Sequence, residues 1–321
     1  MMDNPASSKT LRFLPCRLGD ATYCLSMAWV RAIQHVDQLQ RQTDDQGLVG
    51  WLTDEQGRFP VFRLTTLLHQ PDAAGQRRGK ILVLKTPSQS WGLLVDRVES
   101  VIHVTTRTLF PLPTIARNLA MDVFEGVVKY EEQMMLALSP EGLYPDAAIR
   151  VLSTLPTEHS LDMLYTVADM AIASDSRKKI VVFTTTAEPS LTFGLSLSQV
   201  PQILCPLPLL AVPGAPASIL GLVEWRGVPL PVIDLSRSLG GAASSANGRL
   251  LVVRASTSRL CVGLPIHPQV SIHDLPMAHH VSSQPVPLQE ALLRGKFVLP
   301  HTTLVIPDID GILNSYHSCP A

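Results

Sequence analysis

The chain has 321 residues, with 26 lysines and arginines against 27 aspartates and glutamates, so its formal net charge is −1 at pH 7. Such a near-neutral balance, with a pI of about 6.8, excludes the basic surface that nucleic-acid and anionic-lipid binding require. The 46% hydrophobic fraction excludes general disorder, and the length predicts two domains.

The N-terminal segment, residues 1–13, has no apolar run of the kind that a signal peptide requires. The five cysteines are odd in number and form no Cys-x-x-Cys pair. Both features favour free thiols in a reducing compartment, so we expect a cytoplasmic protein. The cysteines are Cys16, Cys24, Cys205, Cys261 and Cys319.

Short runs of alternating or β-branched residues follow one another along the chain. Residues 12–18 and 23–27 predict two strands joined by a turn at Gly19-Asp20, and residues 180–186 and 191–197 predict a second such pair. Strands of this length and spacing are typical of small β barrels rather than of an α/β sheet. Further strands are predicted at residues 229–235, 250–254, 260–264 and 302–307.

An amphipathic helix is predicted between the two groups of strands. Its apolar residues follow helical spacing, and Ser160 precedes them as an N-cap. We interpret residues 149–177 as a linker that contains this helix. The apolar positions are Leu161, Leu164, Tyr165, Ala168 and Ile172.

A stretch of 35 residues, 189–223, contains no Asp, Glu, Lys or Arg. Its length would permit a membrane span, but its prolines would break a helix in lipid, where the freed backbone groups find no water. We therefore predict no direct membrane insertion. The helix-breaking prolines are Pro201, Pro206, Pro208, Pro213 and Pro216.

Four blocks of sequence recur in the same order, at offsets between 169 and 174. A nearly constant offset over four blocks predicts two copies of one domain, at residues 8–148 and 178–314. The same comparison places Trp51 and Trp225 at matching positions. The matching segments are 23–27 with 193–197, 47–51 with 221–225, 81–84 with 250–253, and 125–126 with 294–295.

The most specific sequence motif of the second copy lies at residues 221–235, GLVEWRGVPLPVIDL. It resembles the core segment of the CheW family of bacterial chemotaxis adaptors, Gly-Val-x-Asn-Leu-Arg-Gly-x-x-x-Pro-Val-Ile-Asp-Leu. Residues 193–204 resemble the second strand and following turn of that family, and residues 92–98 and 124–128 of the first copy resemble its later strands. The resemblance covers nearly the whole chain.

This resemblance implies an all-β fold, in which each domain is a pair of small five-stranded, SH3-like barrels. It also implies a non-enzymatic scaffold whose partners are the cytoplasmic tip of a chemoreceptor and the regulatory domain of a histidine kinase. Some members of the family serve kinase pathways that control type IV pili, and this alternative stays open. Two copies in one chain would make a double adaptor.

The two copies depart from the family motif at different positions. Aligning residues 60–64 on residues 231–235 places Arg63 where the second copy has Asp234, and Glu55 where it has Arg226. Both changes reverse the charge. We therefore expect the two copies to bind different surfaces.

Two further differences between the copies are expected outside that motif. The first copy has Gln56-Gly57, which predicts its hairpin turn. The first copy also keeps the family's aspartate as Asp96, whereas the second is expected to have Pro265 at that position.

Arg226 is the leading candidate for partner binding. A guanidinium at a hairpin tip can form bidentate bonds with a partner carboxylate, and arginine and tryptophan frequently anchor interfaces. The alternative for Arg226 is an ion pair with Asp234 inside the domain, and for Trp225 it is a place in the barrel core. The predicted partner-binding residues are Glu224, Trp225, Arg226, Leu209, Leu210 and Val212.

Leu209, Leu210 and Val212 belong to the uncharged stretch, which either packs on its own barrel or meets a partner. The prolines of this stretch rigidify it and so reduce the entropy that it would lose on binding. This consideration favours a strip of apolar residues that faces a partner.

No catalytic, cofactor or metal site is predicted. Glu224 and Asp234 could form an acid–base pair, but nothing in the sequence supplies a substrate pocket around them. Hydrolase and nucleotide-binding motifs are absent from the sequence, which disfavours the alternative of a small-barrel hydrolase or ligand-binding protein. Four histidines lie close together without the spacing of zinc ligands, which favours solvated side chains. They are His267, His273, His279 and His280.

Overall fold

The computed structural model describes most of both copies. The described residues are 10–42, 47–55, 57–70, 79–87, 89–116, 123–145, 178–187, 191–245, 248–257, 260–275, 286, 288–299 and 302–318. The predicted linker 149–177 with its helix, and His279 and His280, lie outside the described residues. Within the described part no helix is long and apolar enough to cross a membrane.

The described residues form two compact units. Unit 1 contains the described residues up to 112 together with 123–145, and unit 2 contains residues 113–116 together with those from 178 onward. Both units consist mainly of β-strands, as the sequence predicts.

Unit 1 contains two short α-helices, α1 (Leu64–Leu67) and α2 (Pro140–Leu143), and single 3-10 turns at Val36–Gln38 and Thr106–Thr108. Its strands are β1 (Thr10–Leu18), β2 (Ala21–Ser26), β3 (Val30–His35), β4 (Gln40–Arg41), β5 (Leu48–Asp54), β6 (Gly57–Arg63), β7 (Lys80–Lys85), β8 (Ser90–Val95), β9 (Arg97–Val98), β10 (Ile102–Thr105), β11 (Leu109–Phe110), β12 (Phe124–Tyr130) and β13 (Gln133–Leu138).

Unit 2 contains the helices α3 (Leu235–Ser238) and α4 (Ile309–Ser318), and 3-10 turns at Thr114–Ala116, Leu197–Gln199 and Glu290–Leu292. Its strands are β14 (Lys178–Thr184), β15 (Thr192–Ser196), β16 (Gln202–Leu204), β17 (Ile219–Trp225), β18 (Val228–Ile233), β19 (Arg249–Arg254), β20 (Cys261–Ile266), β21 (Val270–Leu275), β22 (Leu293–Leu299) and β23 (Thr302–Pro307).

The sheets of the two units have the same strand order. In unit 2 the described strands form two five-stranded sheets, β21-β14-β15-β23-β22 and β16-β19-β20-β18-β17. Unit 1 repeats both orders as β10-β1-β2-β13-β12 and β3-β7-β8-β6-β5, and adds the two-residue strands β9, β11 and β4 at their margins. The two copies found in the sequence are therefore two copies of one fold.

Three of the four sheets enclose an apolar core of their own, as a barrel does. One cluster in unit 1 draws only on strands of the first sheet, including Phe13 and Val128, and a second draws only on the other sheet, including Val61 and Ile81. In unit 2 the cluster around Val232 likewise comes from one sheet and its adjoining segment. Because a sheet that packs against itself needs no second layer, these clusters account for both small barrels of unit 1 and for one barrel of unit 2.

The hairpin β17–β18 has a β-bulge between Ile219 and Gly221, and the chain crosses it closely. Leu210 and Leu222 exchange two backbone hydrogen bonds of 2.8 Å beside this bulge. A Cβ atom at Gly221, whose φ is +148°, would lie 2.6 Å from the carbonyl oxygen of Leu210. Only glycine lets the crossing segment come this close.

The hairpins β5–β6 and β17–β18 have the same register, and this corrects one prediction. Trp51 lies opposite Pro60 beside the bulge of its hairpin, whereas Trp225 lies opposite Val228 at the tip of the other. The prediction that the two tryptophans match is wrong by three residues, since the residue equivalent to Trp225 is Asp54. Strands of similar composition can be aligned equally well when one is shifted by a few residues. Only the hydrogen-bonded pairing of the strands determines which residues correspond.

The turn of the first hairpin and the residue of unit 2 that is equivalent to Asp96 also differ from the predictions. Gly57 pairs with Asp54 as the first residue of β6, so Gly57 belongs to the strand and not to the turn. The amide of Asp96 bonds the Arg17 carbonyl, as the amide of His267 bonds that of Thr184. The equivalent of Asp96 is therefore His267 and not Pro265.

Candidate functional site

Arg226 lies at the tip of the β17–β18 hairpin, as the sequence predicts. Trp225 pairs with Val228, which leaves Arg226 and Gly227 as the two turn residues, with φ values of +53° and +82°. Positive φ at both positions is the geometry of a type I′ turn, which joins strands tightly. The Arg226 side chain is exposed at this tip.

The side chain of Arg226 is held against its neighbours. Its guanidinium carbon lies 4.8 Å from the centre of the Trp225 ring, an arrangement that permits cation–π attraction. Burial raises the pKa of the nearby Cys261 thiol, and the charges of Arg254 and Arg226 oppose this rise. Arg226 therefore presents a positive charge that is held over the Trp225 ring at the hairpin tip.

Trp225 anchors the tip from inside the barrel. Its side chain is 5% exposed and belongs to the core of the second barrel of unit 2. Its indole Nε1 donates a 2.9 Å hydrogen bond to Oε1 of Gln202 on β16. Trp225 thus takes the core position that the sequence left as an alternative, and it supports Arg226 from below. Gln202 carries no signal that would have singled it out in the sequence.

The alternative ion pair between Arg226 and Asp234 is wrong. Asp234 follows β18 at its far end, about 20 Å from the tip at 3.3 Å per residue. Its side chain is fully buried, and its two carboxylate oxygens accept hydrogen bonds from the amides of Arg237 (3.2 Å) and Ser244 (2.6 Å). Asp234 is the N-cap of α3, so it forms no acid–base pair with Glu224 near the tip.

We expect Asp234→Ala to destabilise unit 2 by about 2 kcal/mol, because it removes the cap of α3 and the acceptor of the half-buried Ser244 amide. Arg63, the equivalent residue of unit 1, precedes α1 and gives it no side-chain cap. Arg63→Ala is the matched control, with an expected loss below about 1 kcal/mol. Urea denaturation measures both, and equal losses would contradict the capping role.

The apolar residues predicted to face a partner mostly pack on their own barrel. Val212 is 8% exposed, Leu210 forms the bridge to Leu222, and Leu209 packs against the barrel core. This segment closes the barrel. The large apolar side chains that remain exposed nearby are Ile203 and Leu207, at 36% and 37%.

The tip of the equivalent hairpin in unit 1 is acidic. Glu55 takes the position of Arg226 and is exposed, as the sequence alignment predicts. Asp54, the equivalent of Trp225, forms an ion pair with Arg31 on β3. Both tips are therefore tied to the neighbouring edge strand, one by an ion pair and the other by an indole hydrogen bond.

Within the described residues no group of three or more His, Cys, Asp or Glu side chains is arranged to hold a metal ion. The four described cysteines are free thiols, and Cys16 and Cys24 are buried. Burial, with a smaller contribution from Glu99, raises the pKa of Cys16 to about 12. At neutral pH this thiol is protonated and unreactive.

Comparison with known proteins identifies similar chains. Residues 12–148 and 179–317 each match the family model described as the CheW-like domain. The chemotaxis protein CheW of Klebsiella aerogenes is 23% identical over 148 residues, which are 46% of this chain and 89% of that protein. The probable chemotaxis protein CheW of Rhizobium etli is 25% identical over 131 residues, which are 40% of this chain and 84% of that protein.

A solved structure is also similar. The scaffolding protein TtCheW from Thermoanaerobacter tengcongensis shares 18% sequence identity with a region that covers 43% of this chain and 95% of that one, with a TM-score of 0.39.

Proposed function

The chain belongs to the CheW family through both of its halves, and from this premise we propose that it is a tandem chemotaxis adaptor that couples chemoreceptors to a histidine kinase. The work of such a protein is non-enzymatic: it holds other proteins together. The observation that carries the proposal is the presence of two CheW-like domains in one chain, with hairpin tips of opposite charge at Glu55 and Arg226.

Two linked domains bind more tightly than either alone. Once one domain has bound, the other meets its partner at an effective concentration in the millimolar range, if the linker is short. A single domain that buries about 800 Å² or less can then bind weakly, while the pair still forms a lasting complex. Opposite charges at the two tips support different partners for the two domains, because like charges across an interface oppose binding.

The proposal is tested by binding of the full chain to a receptor cytoplasmic tip and, separately, to the regulatory domain of the kinase. We expect a complex with at least one of them at tens of micromolar, the range expected of small interfaces. Isothermal titration calorimetry measures each affinity. The absence of binding to both would contradict the proposal, whereas binding to proteins of a pilus pathway instead would change the pathway but keep the adaptor role.

Arg226→Glu should weaken the complex formed by unit 2 about thirtyfold, which corresponds to ~2 kcal/mol, the loss typical of an interface anchor. The type I′ turn and the buried Trp225 remain, so thermal stability should change little. Arg249→Glu is the control, because Arg249 is exposed on the same unit and its substitution changes the net charge by the same amount. If Arg249→Glu weakens binding as much, Arg226 acts only through overall charge.

A further inference from the structure

A position that holds an arginine in unit 2 holds a glutamate in unit 1. Strands β12 and β22 bulge at the same place, between Phe124 and Gly126 and between Leu293 and Gly295. The residues inside the two bulges, Glu125 and Arg294, are therefore equivalent.

One carboxylate beside this position also has an acidic equivalent in the other unit. Glu141 is the second residue of α2, which follows β13, and Asp310 is the second residue of α4, which follows β23. The match between the two units thus covers Glu125 with Arg294 and Glu141 with Asp310.

Unit 2 shows which chemical group this place in the fold accommodates. The guanidinium of Arg294 donates from Nε to Asp308 and from Nη2 to Asp310, at 2.9 Å each. A planar fork with two donors suits two neighbouring carboxylates, and such charge-assisted pairs are stronger than neutral hydrogen bonds. Unit 2 therefore fills its own site with an arginine.

In unit 1 the same place keeps one of the two carboxylates, as Glu141, and has Ser139 at the position of Asp308. The arginine itself is replaced by Glu125. Oε1 of Glu125 accepts a 2.9 Å hydrogen bond from the indole Nε1 of Trp29. Burial raises the pKa of Glu125, the hydrogen bond from Trp29 opposes this rise, and the negative charge of the nearby Glu141 adds to it. Among the described residues neither glutamate is part of an ion pair.

We propose that Trp29, Glu125 and Glu141, here named the Trp29 corner, bind an arginine side chain of a partner protein. The partner's guanidinium supplies the charge that Arg294 supplies within unit 2, and it bonds the carboxylates of Glu125 and Glu141. The half-buried indole of Trp29 offers a ring face on which a guanidinium can stack. This inference is independent of whether a receptor or a kinase binds the chain.

The test titrates the full chain with the peptide acetyl-Gly-Arg-Gly-amide and follows the indole N–H signal of Trp29 by NMR, assigned with Trp29→Phe. The peptide with citrulline in place of arginine is the control, because it has the same shape without the charge. We expect a saturable shift of the Trp29 signal with arginine and none with citrulline. No saturable shift, or an equal shift with citrulline, would overturn the proposal.

Two variants and a matched control locate the site. Glu125→Gln keeps an acceptor for Trp29 and should weaken the peptide about threefold or more, whereas Glu132→Gln, at an exposed turn of the same unit, should leave its affinity unchanged. Glu125→Arg places an arginine beside Glu141, as Arg294 lies beside Asp310 in unit 2. It should abolish peptide binding without lowering the melting temperature. Equal weakening by Glu125→Gln and Glu132→Gln would show that only overall charge attracts the peptide.

Discussion

Gly221→Ala is expected to destabilise unit 2 by about 3 kcal/mol or more. The added Cβ would lie 2.6 Å from the Leu210 carbonyl oxygen, and the backbone at φ +148° is strained for any residue with a side chain. Backbone strain of this kind costs about 1–3 kcal/mol. If the crossing segment moves away to make room, the two hydrogen bonds between Leu210 and Leu222 are lost, at about 1 kcal/mol each.

Urea denaturation, followed by hydrogen exchange of peptides from each unit, measures this loss and assigns it to unit 2. The control is Gly227→Asn, because Gly227 also has positive φ (+82°) but open space where a Cβ would lie. Asparagine tolerates that conformation, so the loss should stay below about 1 kcal/mol. A Gly221→Ala variant as stable as the natural protein would show that the crossing segment is not fixed by its approach to the bulge.

The same substitution should also impair partner binding through unit 2. The segment that crosses Gly221 carries Leu209 and Val212 against the barrel core, and the β17 strand that begins at the bulge ends at Trp225 below Arg226. When the barrel opens, the tip loses its support. A structural defect at one end of the hairpin therefore reaches the site at the other end.

The sequence is sufficient to predict the fold but not the strand register. Repeated blocks at a nearly constant offset, together with alternating strands, predict two copies of a small-barrel domain, and the comparisons confirm the family. The offset changes from strand to strand, because loops differ in length, so Asp96 corresponds to His267 and not to Pro265. Trp51 and Trp225 look alike in the sequence, yet hydrogen bonding places them three residues apart.

The tip residue Arg226 could be predicted because an Arg-Gly pair between two apolar runs is a local turn signal. The role of the uncharged segment could not, because a single backbone bridge at Leu210 gives no strand pattern to recognise. Apolar residues at a barrel seam and at an interface have the same composition, and only burial separates Val212 from Leu207. The predicted linker helix at residues 149–177 stays a prediction.

The charge reversal between Glu125 and Arg294 was visible in the repeat itself, since the two residues precede matching glycines. Its meaning was not, because the sequence does not show that Asp308 and Asp310 lie beside Arg294. Three charge reversals, at Glu55, Arg63 and Glu125, now distinguish unit 1 from unit 2. Duplication preserved the barrels, while the charges on them diverged.

Asp310→Ala is expected to destabilise unit 2 by about 2–3 kcal/mol. The carboxylate accepts hydrogen bonds from the Ser256 amide (3.1 Å), from the amide (2.8 Å) and hydroxyl (2.5 Å) of Thr257, and from Arg294 (2.9 Å). Its side chain is 9% exposed, whereas Ser256 and Thr257 are exposed and Arg294 keeps its bond to Asp308. Removing the carboxylate costs four hydrogen bonds, but water and Asp308 satisfy part of the donors that are left.

The matched control is Glu141→Ala, because Glu141 is the equivalent residue of unit 1 and is exposed. Its loss should be below about 0.5 kcal/mol, as for most surface substitutions. Urea denaturation at pH 7 measures both variants. Equal effects would mean that the network around Asp310 contributes nothing specific to unit 2.

The pH dependence gives a second test of the same network. Burial of Asp310 would raise its pKa, but the hydrogen bonds from Thr257 and Ser256 and the charge of Arg294 outweigh burial and lower the pKa from 3.8 to about 2. A lowered pKa stabilises the folded state above pH 3.8, and this stabilisation, about 2 kcal/mol, is lost as the pH falls from 3.8 to 2. The difference in stability between the natural protein and Asp310→Asn should therefore shrink over that interval. If it stays constant down to pH 2, the carboxylate is not held in its charged form by these partners.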